Sequence, residues 1–445
     1  MSQPSGPRPS TNLSLLMGIW FGLTLAAGLG VFALLYWATG TPAPTQPASV
    51  ATSQAVAVLP TNPAPAPTQA GVSGPAPVCN YLPEPPSGFA YGIQPHALVP
   101  GVNPADALGI VKDKLHLNWV KLQVRWAVIE PQPAQYDWAT LDNAINASCE
   151  KGLRVMLSVV AAPDWSLAQP LLPKEKGEAP PADFQTYANF LQQILSRHPG
   201  KVQAIEVWNE ANLEREWNTP NGVEAAEFTR LVQVAAATIK AQDPAIIVIA
   251  GAPAPTGINC KGDWPACAGG RTVVVDDATF LQQFIAAGGL TYVDCLGTHS
   301  NGTNLPPTAD GAHPPDGAGY VFRGPWTNPH YSWALKSQVE TYASILQGAK
   351  PQCVTEFGYA SPLDGKFAAG YEFAQDVTEQ QQASYLVEAY NWMRDSGHVK
   401  MAFLFNLNYA QFGDPATDDN PIFSLINGQG VPRPAFDAIS LMDKR

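Results

Sequence analysis

No cluster of lysines or arginines occurs in the chain, and between Arg8 and Lys112 neither residue occurs at all. The run of positive charge that meets phosphates is missing, so nucleic acid is not an expected partner. Charge of either sign is sparse. Charged residues make up 14% of the 445, with 25 basic against 37 acidic side chains and a formal net charge of −12, an excess that serves solubility. No CxxC pair or cysteine–histidine cluster is present, which speaks against zinc. No glycine-rich turn follows the first predicted strand, which speaks against a dinucleotide fold. Neither a metal nor an organic cofactor is expected.

What is present falls into unequal parts. Leu13–Ala38 is 26 residues without a charge, more than the roughly 20 needed to cross a hydrocarbon core. Trp20, Tyr36 and Trp37 lie towards its ends, as interfacial aromatics do. A cleaved signal peptide is the lesser alternative, because its apolar region is normally about 7–15 residues. With Arg8 before the segment and no basic residue soon after it, the expected topology puts the N-terminus inside and the rest on the extracytoplasmic side. From Thr41 to Pro77 nine prolines stand among Ala, Thr, Ser, Val and Gln without a charge; such composition cannot bury enough apolar surface to fold and predicts an extended tether. The expected organisation is a cytoplasmic tail over 1–12, a single-pass signal anchor over 13–38, a Pro/Ala/Thr-rich linker over 39–78 and a folded domain over 79–445.

Within the folded part, short apolar runs alternate with longer amphipathic ones. Strands are predicted at 89–93, 119–124, 153–160, 202–207, 246–250, 292–296, 352–355 and 401–405, with helices at 136–149, 182–197, 225–241, 277–287, 337–349 and 379–395. Eight strands alternating with helices predict a closed (β/α)8 barrel. Six cysteines on the outer side of a membrane permit disulfides. Cys260 and Cys267 bracket a short loop and are the expected pair; Cys79 with Cys149 is a guess, and Cys295 and Cys353 fit a bridge or two buried thiols equally.

Two glutamates stand at the ends of predicted strands, Glu210 in Val207-Trp208-Asn209-Glu210 after the fourth and Glu356 in Val354-Thr355-Glu356-Phe357-Gly358 after the seventh. Loops after the strands gather on one face of such a barrel, where two carboxyl groups are the minimal equipment for cleaving a glycosidic bond. Together with Ile129-Glu130-Pro131, Tyr136-Asp137-Trp138, Ala162-Pro163-Asp164-Trp165 and Pro432-Arg433-Pro434-Ala435, these strings resemble clan A of the retaining (β/α)8 glycoside hydrolases, with a flavour of the cellulase, β-xylosidase and iduronidase-like members. The resemblance runs from about Gly88 to the C-terminus. It implies that Glu210 is the general acid/base, Glu356 the nucleophile and Asn209 the holder of the sugar 2-hydroxyl. It also implies that Arg125 sits close to Glu356 and that His299 bonds within the same pocket.

Trp165, Trp264, Trp326 and Tyr409 are candidate platforms for sugar rings. The Gly- and Pro-rich segment 301–333 also carries Tyr320, Phe322, Tyr331 and Trp333, and an unstructured stretch of that length is expected to line a site. Two positions depart from the clan. Asn301 stands where many members have a tyrosine two residues after the strand-six histidine, and the run Phe405-Asn406-Leu407-Asn408-Tyr409 replaces a tryptophan at the end of strand eight. The expected activity is hydrolysis of an oligo- or polysaccharide; the alternative is a barrel without turnover that binds carbohydrate or serves an envelope assembly.

Overall fold

A computed structural model describes residues 79–169, 177–263, 266–313 and 329–445. The expected anchor at Leu13–Ala38, the tether, Trp264 and Trp326 lie outside the described residues. Among those described, no helix is long and apolar enough to cross a membrane.

Eight strands form a closed, all-parallel barrel: β1 (Ala90–Ile93), β2 (Trp119–Arg125), β3 (Arg154–Val160), β4 (Ala204–Val207), β5 (Ile247–Ala250), β6 (Cys295–Gly302), β7 (Gln352–Tyr359) and β8 (Val399–Leu404). Each pairs with its sequence neighbours, and β8 closes the ring on β1. Among the described residues eight helices of two turns or more alternate with them, besides a single turn at Trp126–Ile129: α1 (Pro104–Asp113), α2 (Ala139–Glu150), α3 (Phe184–Arg197), α4 (Ala225–Gln242), α5 (Asp277–Ala286), α6 (Leu335–Leu346), α7 (Glu379–Asp395) and α8 (Pro434–Leu441). Their starts are chemically marked. Asn103 caps α1 ahead of a first-turn proline, Asp183 caps α3, and Thr378 with Gln381 forms a capping box on α7, satisfying amides that otherwise lack partners. Helices α1 and α8 were not expected from the sequence; both are short.

Strand side chains alternate between two cores. Val120, Leu122 and Val124 of β2, Ile205 and Val207 of β4, and Val354 and Phe357 of β7 face outward into the layer shared with the helices. Inside, the floor of the barrel is apolar: Ala90, Trp119, Met156, Ala204, Ile249, Cys295, Cys353, Met401 and Phe403. The Cys295–Cys353 disulfide crosses from β6 to β7 in this floor, settling the open alternative as a bridge; Cys79–Cys149 and Cys260–Cys267 are the other two.

Strands β6 and β7 end later than the apolar runs indicate, because their upper halves, Thr298–Gly302 and Glu356–Tyr359, mix polar residues and glycine with apolar ones. Glu356 thus lies within β7, not after it. A bulge aims it. On the β6 side Thr298 pairs with Val354 and His299 with Glu356, skipping Thr355; on the β8 side Ala402 pairs with Val354 and Leu404 with Phe357. The extra residue breaks strict alternation, so that Val354 and Phe357 both face out while Glu356 turns into the barrel.

Candidate active site

Above the apolar floor, the next inward position of β2 after Trp119 is Lys121, and the one of β4 after Ala204 is Glu206. Both are completely buried. The Lys121 ammonium donates to Glu356 Oε1 at 2.8 Å and lies 3.2 Å from Glu206 Oε2. Burial opposes its charge, but the two carboxylates outweigh that and raise its pKa. The reciprocal holds for Glu206. Burial pushes its carboxyl up, yet Lys121 and then His299 leave it below the ordinary value.

Glu210 follows β4 on a backbone bent twice into the left-handed region, φ 69° at Trp208 and 39° at Glu210. Such conformations are uncommon for non-glycine residues and persist where the surroundings enforce them. The enforcement is visible. The Trp208 indole, fully buried, donates to Glu216 O at 2.7 Å, and Glu210 N donates to Ala252 O at 2.9 Å. Gly251 permits the approach, since a Cβ there would stand 2.6 Å from Val207 O and 2.7 Å from Trp208 O.

The buried imidazole of His299, on β6, joins the two glutamates. Its Nδ1 is 2.9 Å from Glu210 Oε1, and its Nε2 is 3.9 Å from both Glu356 Oε1 and Glu206 Oε1. Burial opposes a charged His299, but Glu356 and Glu210 raise its pKa. Arg215 takes the other oxygen of Glu210 at 2.7 Å. Burial acts against ionisation of Glu210; Arg215 first and His299 next hold its pKa down at about 2. Beside them Glu216 goes the other way. Burial, then Glu210 and Glu178, push it up to about 8 against Arg215 and the Asn209 side chain. Asn209 is buried, with an Oδ1 that has no hydrogen-bond partner among the described residues.

Arg125 is not where the resemblance implies. It lies at the rim, largely exposed, and donates to Glu178 at 2.5 Å. The cationic partner of Glu356 is Lys121, four residues earlier on the same face of β2, about 13 Å lower at roughly 3.3 Å per residue. Trp165 is half-buried; its indole donates to Glu130 O at 3.1 Å and its ring meets Trp126 edge-on at 5.7 Å, tying the loops after β2 and β3 together. Tyr409, past β8, packs against His96 at 4.6 Å, and its hydroxyl is pushed up to about 12 by burial and Asp418. Burial brings His96 itself down to about 3. Asn301, at the departed tyrosine position, has an Oδ1 buried without a partner among the described residues. Trp333 is buried in a cluster with Leu305, Ala360 and Phe373, so it anchors its loop.

Lys121, Glu206, Arg215 and Glu216 were missed from the sequence. The first two carried a signal. A lysine between Val120 and Leu122 and a glutamate between Ile205 and Val207 each occupy an inward rung flanked by buried apolar residues. A cation would find the donors of Asp276, Asp277 and His330, all within 4.8 Å of one another, but these sit at the start of α5 and just before the turn Tyr331–Trp333, and they bond to none of Lys121, Glu206, Glu210, His299 and Glu356. A surface hollow of about 940 Å3 lined by Gln282, Tyr331, Lys336 and Glu340 also lies apart from the carboxylates.

The barrel has counterparts among known proteins. Residues 110–171 match the family-42 glycosyl hydrolase model, described as β-galactosidase. The barrel superposes on a family 39 glycoside hydrolase from Bacteroides cellulosilyticus WH2 with a TM-score of 0.56 at 16% identity, over 80% of this chain and 64% of that one. A family 39 enzyme from Xanthomonas axonopodis pv. citri gives 0.52 at 18% identity, over 80% and 67%. The fold is that of the glycoside hydrolase barrels. The chain spans a little under two thirds of the first of these enzymes. The β-glycosidase BGL167 gives 0.51 at 16% identity, over 80% of this chain and 96% of that one. No curated protein sequence matches the chain.

Two outcomes follow from the buried charges. Lys121→Met leaves Glu206 and Glu356 without their cation, so denaturant unfolding at neutral pH is expected to show a loss of about 3–5 kcal/mol; a loss below about 1 kcal/mol contradicts the arrangement. Glu216 binds its proton more tightly folded than unfolded, so its contribution to stability is lost as pH rises from its ordinary 4.5 through about 8. Glu216→Gln is therefore expected to be more stable than the parent at pH 8, with the gap closing at pH 4. An equal difference at both pH values rules this out.

Proposed function

We propose that the protein is a retaining glycoside hydrolase of oligo- or polysaccharides, with Glu356 as nucleophile and Glu210 as general acid/base. The observation that carries this reading is the pairing of two glutamates in one pocket with opposite electrostatic company. Glu356 rests on the buried ammonium of Lys121, which takes one oxygen at 2.8 Å and aims the group for attack on the anomeric carbon. Glu210 shares a proton-bearing imidazole, the property needed to protonate a leaving oxygen and later to activate water. The unpartnered Oδ1 of Asn209 beside Glu210 suits a sugar 2-hydroxyl, a contact that strengthens as the ring gains positive charge. The uncharged stretch Leu13–Ala38 and the proline-rich segment after it support a single-pass anchor that holds the barrel on the extracytoplasmic side within reach of polymeric glycans.

A second reading, a barrel that binds carbohydrate without turnover, draws on Asn301 in place of the tyrosine and on the clamping of Glu210 by Arg215. The deciding experiment uses activated aryl β-glycosides. Glu356→Ala is expected to fall to background. Glu210→Ala is expected to lose about 10²–10⁴-fold on leaving groups that need a proton and to regain activity with azide, giving a glycosyl azide of retained configuration. Sugar binding that neither substitution weakens, with no hydrolysis by the parent, favours the second reading instead.

A further inference from the structure

In the free site both oxygens of Glu210 are taken, Oε1 by His299 Nδ1 at 2.9 Å and Oε2 by Arg215 Nη2 at 2.7 Å. A group assigned to deliver a proton is therefore clamped as a carboxylate by a guanidinium. The clamp has a fixed base and a side chain open to solvent. Arg215 O accepts from Glu178 N at 2.6 Å, and the turn around it closes through Glu216 N and Trp217 N onto Leu213 O at 3.1 and 2.8 Å, while the Arg215 side chain is 60% exposed. The proton of a glycosidase acid goes to the leaving oxygen, so a group bonded to Glu210 from the solvent side stands on the leaving-group side of the scissile bond.

We propose that Arg215 is a latch opened by a negatively charged group on the leaving-group side of the substrate, so that the site acts on acidic glycans, such as those carrying a uronic acid carboxylate, in preference to neutral ones. The inference rests on the assignment of Glu210 as the acid. The latch works because the His299–Glu210 pair already holds the proton that is needed. With Arg215 in place the charge balance keeps that proton on Nδ1 of His299. When the guanidinium turns to a substrate carboxylate, the N–H of Nδ1 breaks and an O–H forms on Glu210 Oε1, leaving a neutral imidazole and a neutral acid. That proton then passes to the glycosidic oxygen as its bond to the anomeric carbon breaks and the bond from Glu356 forms.

The other groups facing this pair leave the switch to Arg215. Glu216, 3.6 Å from Arg215 Nε, is pushed up to about 8 and is protonated near neutrality. Tyr371, partly buried near Arg215 and Glu210, is raised far above its ordinary range by burial and Asp419. Lys121 lies beneath, between Glu206 and Glu356, and Glu356, 3.9 Å from Nε2 of His299, favours the imidazolium whether or not Arg215 is in place. Glu178 is occupied by Arg125. Neutral sugar hydroxyls compete poorly for a guanidinium already on a carboxylate, whereas a second carboxylate competes on equal terms.

The test uses the full chain and three β-glycosides of one accepted sugar: phenyl, 3-carboxyphenyl and 2,4-dinitrophenyl. The parent is expected to favour carboxyphenyl over phenyl by about tenfold in kcat/KM at pH 7, the margin of a charge-assisted over a neutral hydrogen bond. In Arg215→Met the preference is expected to vanish, with phenyl rising relative to dinitrophenyl and the basic limb of the pH profile moving up. A readout without turnover is the 15N signal of His299, expected charged in the parent at pH 7 and neutral on adding the carboxyphenyl glycoside but not the phenyl one. Equal rates for the two in the parent, an unchanged preference in Arg215→Met, or a His299 signal indifferent to the carboxylate overturns the latch. Failure to cleave the dinitrophenyl glycoside, whose leaving group needs no proton, together with the expected His299 response, removes the hydrolase assignment and with it the preference in turnover, while the exchange of Arg215 between Glu210 and the added carboxylate is still read from His299.

Discussion

Lys121, sealed inside the barrel between Glu206 and Glu356, is the contact on which the rest of the site depends. An ammonium out of water is costly, and its carboxylate partners recover that cost only with close geometry. The barrel supplies it. An apolar floor ending in Trp119, Cys353 and Phe403 shuts water out from below, and the bulge in β7 turns Glu356 inward at the level of Lys121. A trio of apolar side chains would fill the same volume with less electrostatic expense, so the charges are best understood through what they do to Glu356.

The two glutamates differ because their neighbours differ. Glu356 meets an ammonium below it, on a strand that permits little motion. Glu210 sits on strained backbone at a strand end, between an imidazole that gives up a proton and a guanidinium with an exposed stem. One environment fixes a position, and the other lets a proton be exchanged. Paired carboxyl groups doing acid and nucleophile work need such a difference.

Much of the fold was legible in the sequence because parallel strands buried on both faces are written as apolar runs, and seven of the eight predicted strands overlap their observed places closely. The eighth, β6, was expected three residues too early, since the polar Thr298, His299, Ser300 and Asn301 hid its upper half. The pocket was legible in part. Glu210, Glu356, Asn209 and His299 do gather at one end of the barrel. The company of Glu356 was misjudged, because strand-end Arg125 drew attention from inward-facing Lys121, and an ion pair across a barrel leaves no mark in sequence spacing. Arg215 and Glu216 reach the site through a turn whose shape depends on the left-handed backbone at Trp208 and Glu210, which residue types alone do not announce.

The central claim is that Glu356, held on the Lys121 ammonium, attacks the sugar. It is tested most directly by trapping. A 2-deoxy-2-fluoro glycoside with a dinitrophenyl leaving group slows the breakdown of a covalent intermediate, and peptide mass mapping then locates the bond. The account predicts one sugar per chain on Glu356, and none when Lys121→Met or Glu356→Ala replaces the parent. A sugar found on Glu210 or Glu206, or full labelling of Lys121→Met, contradicts it.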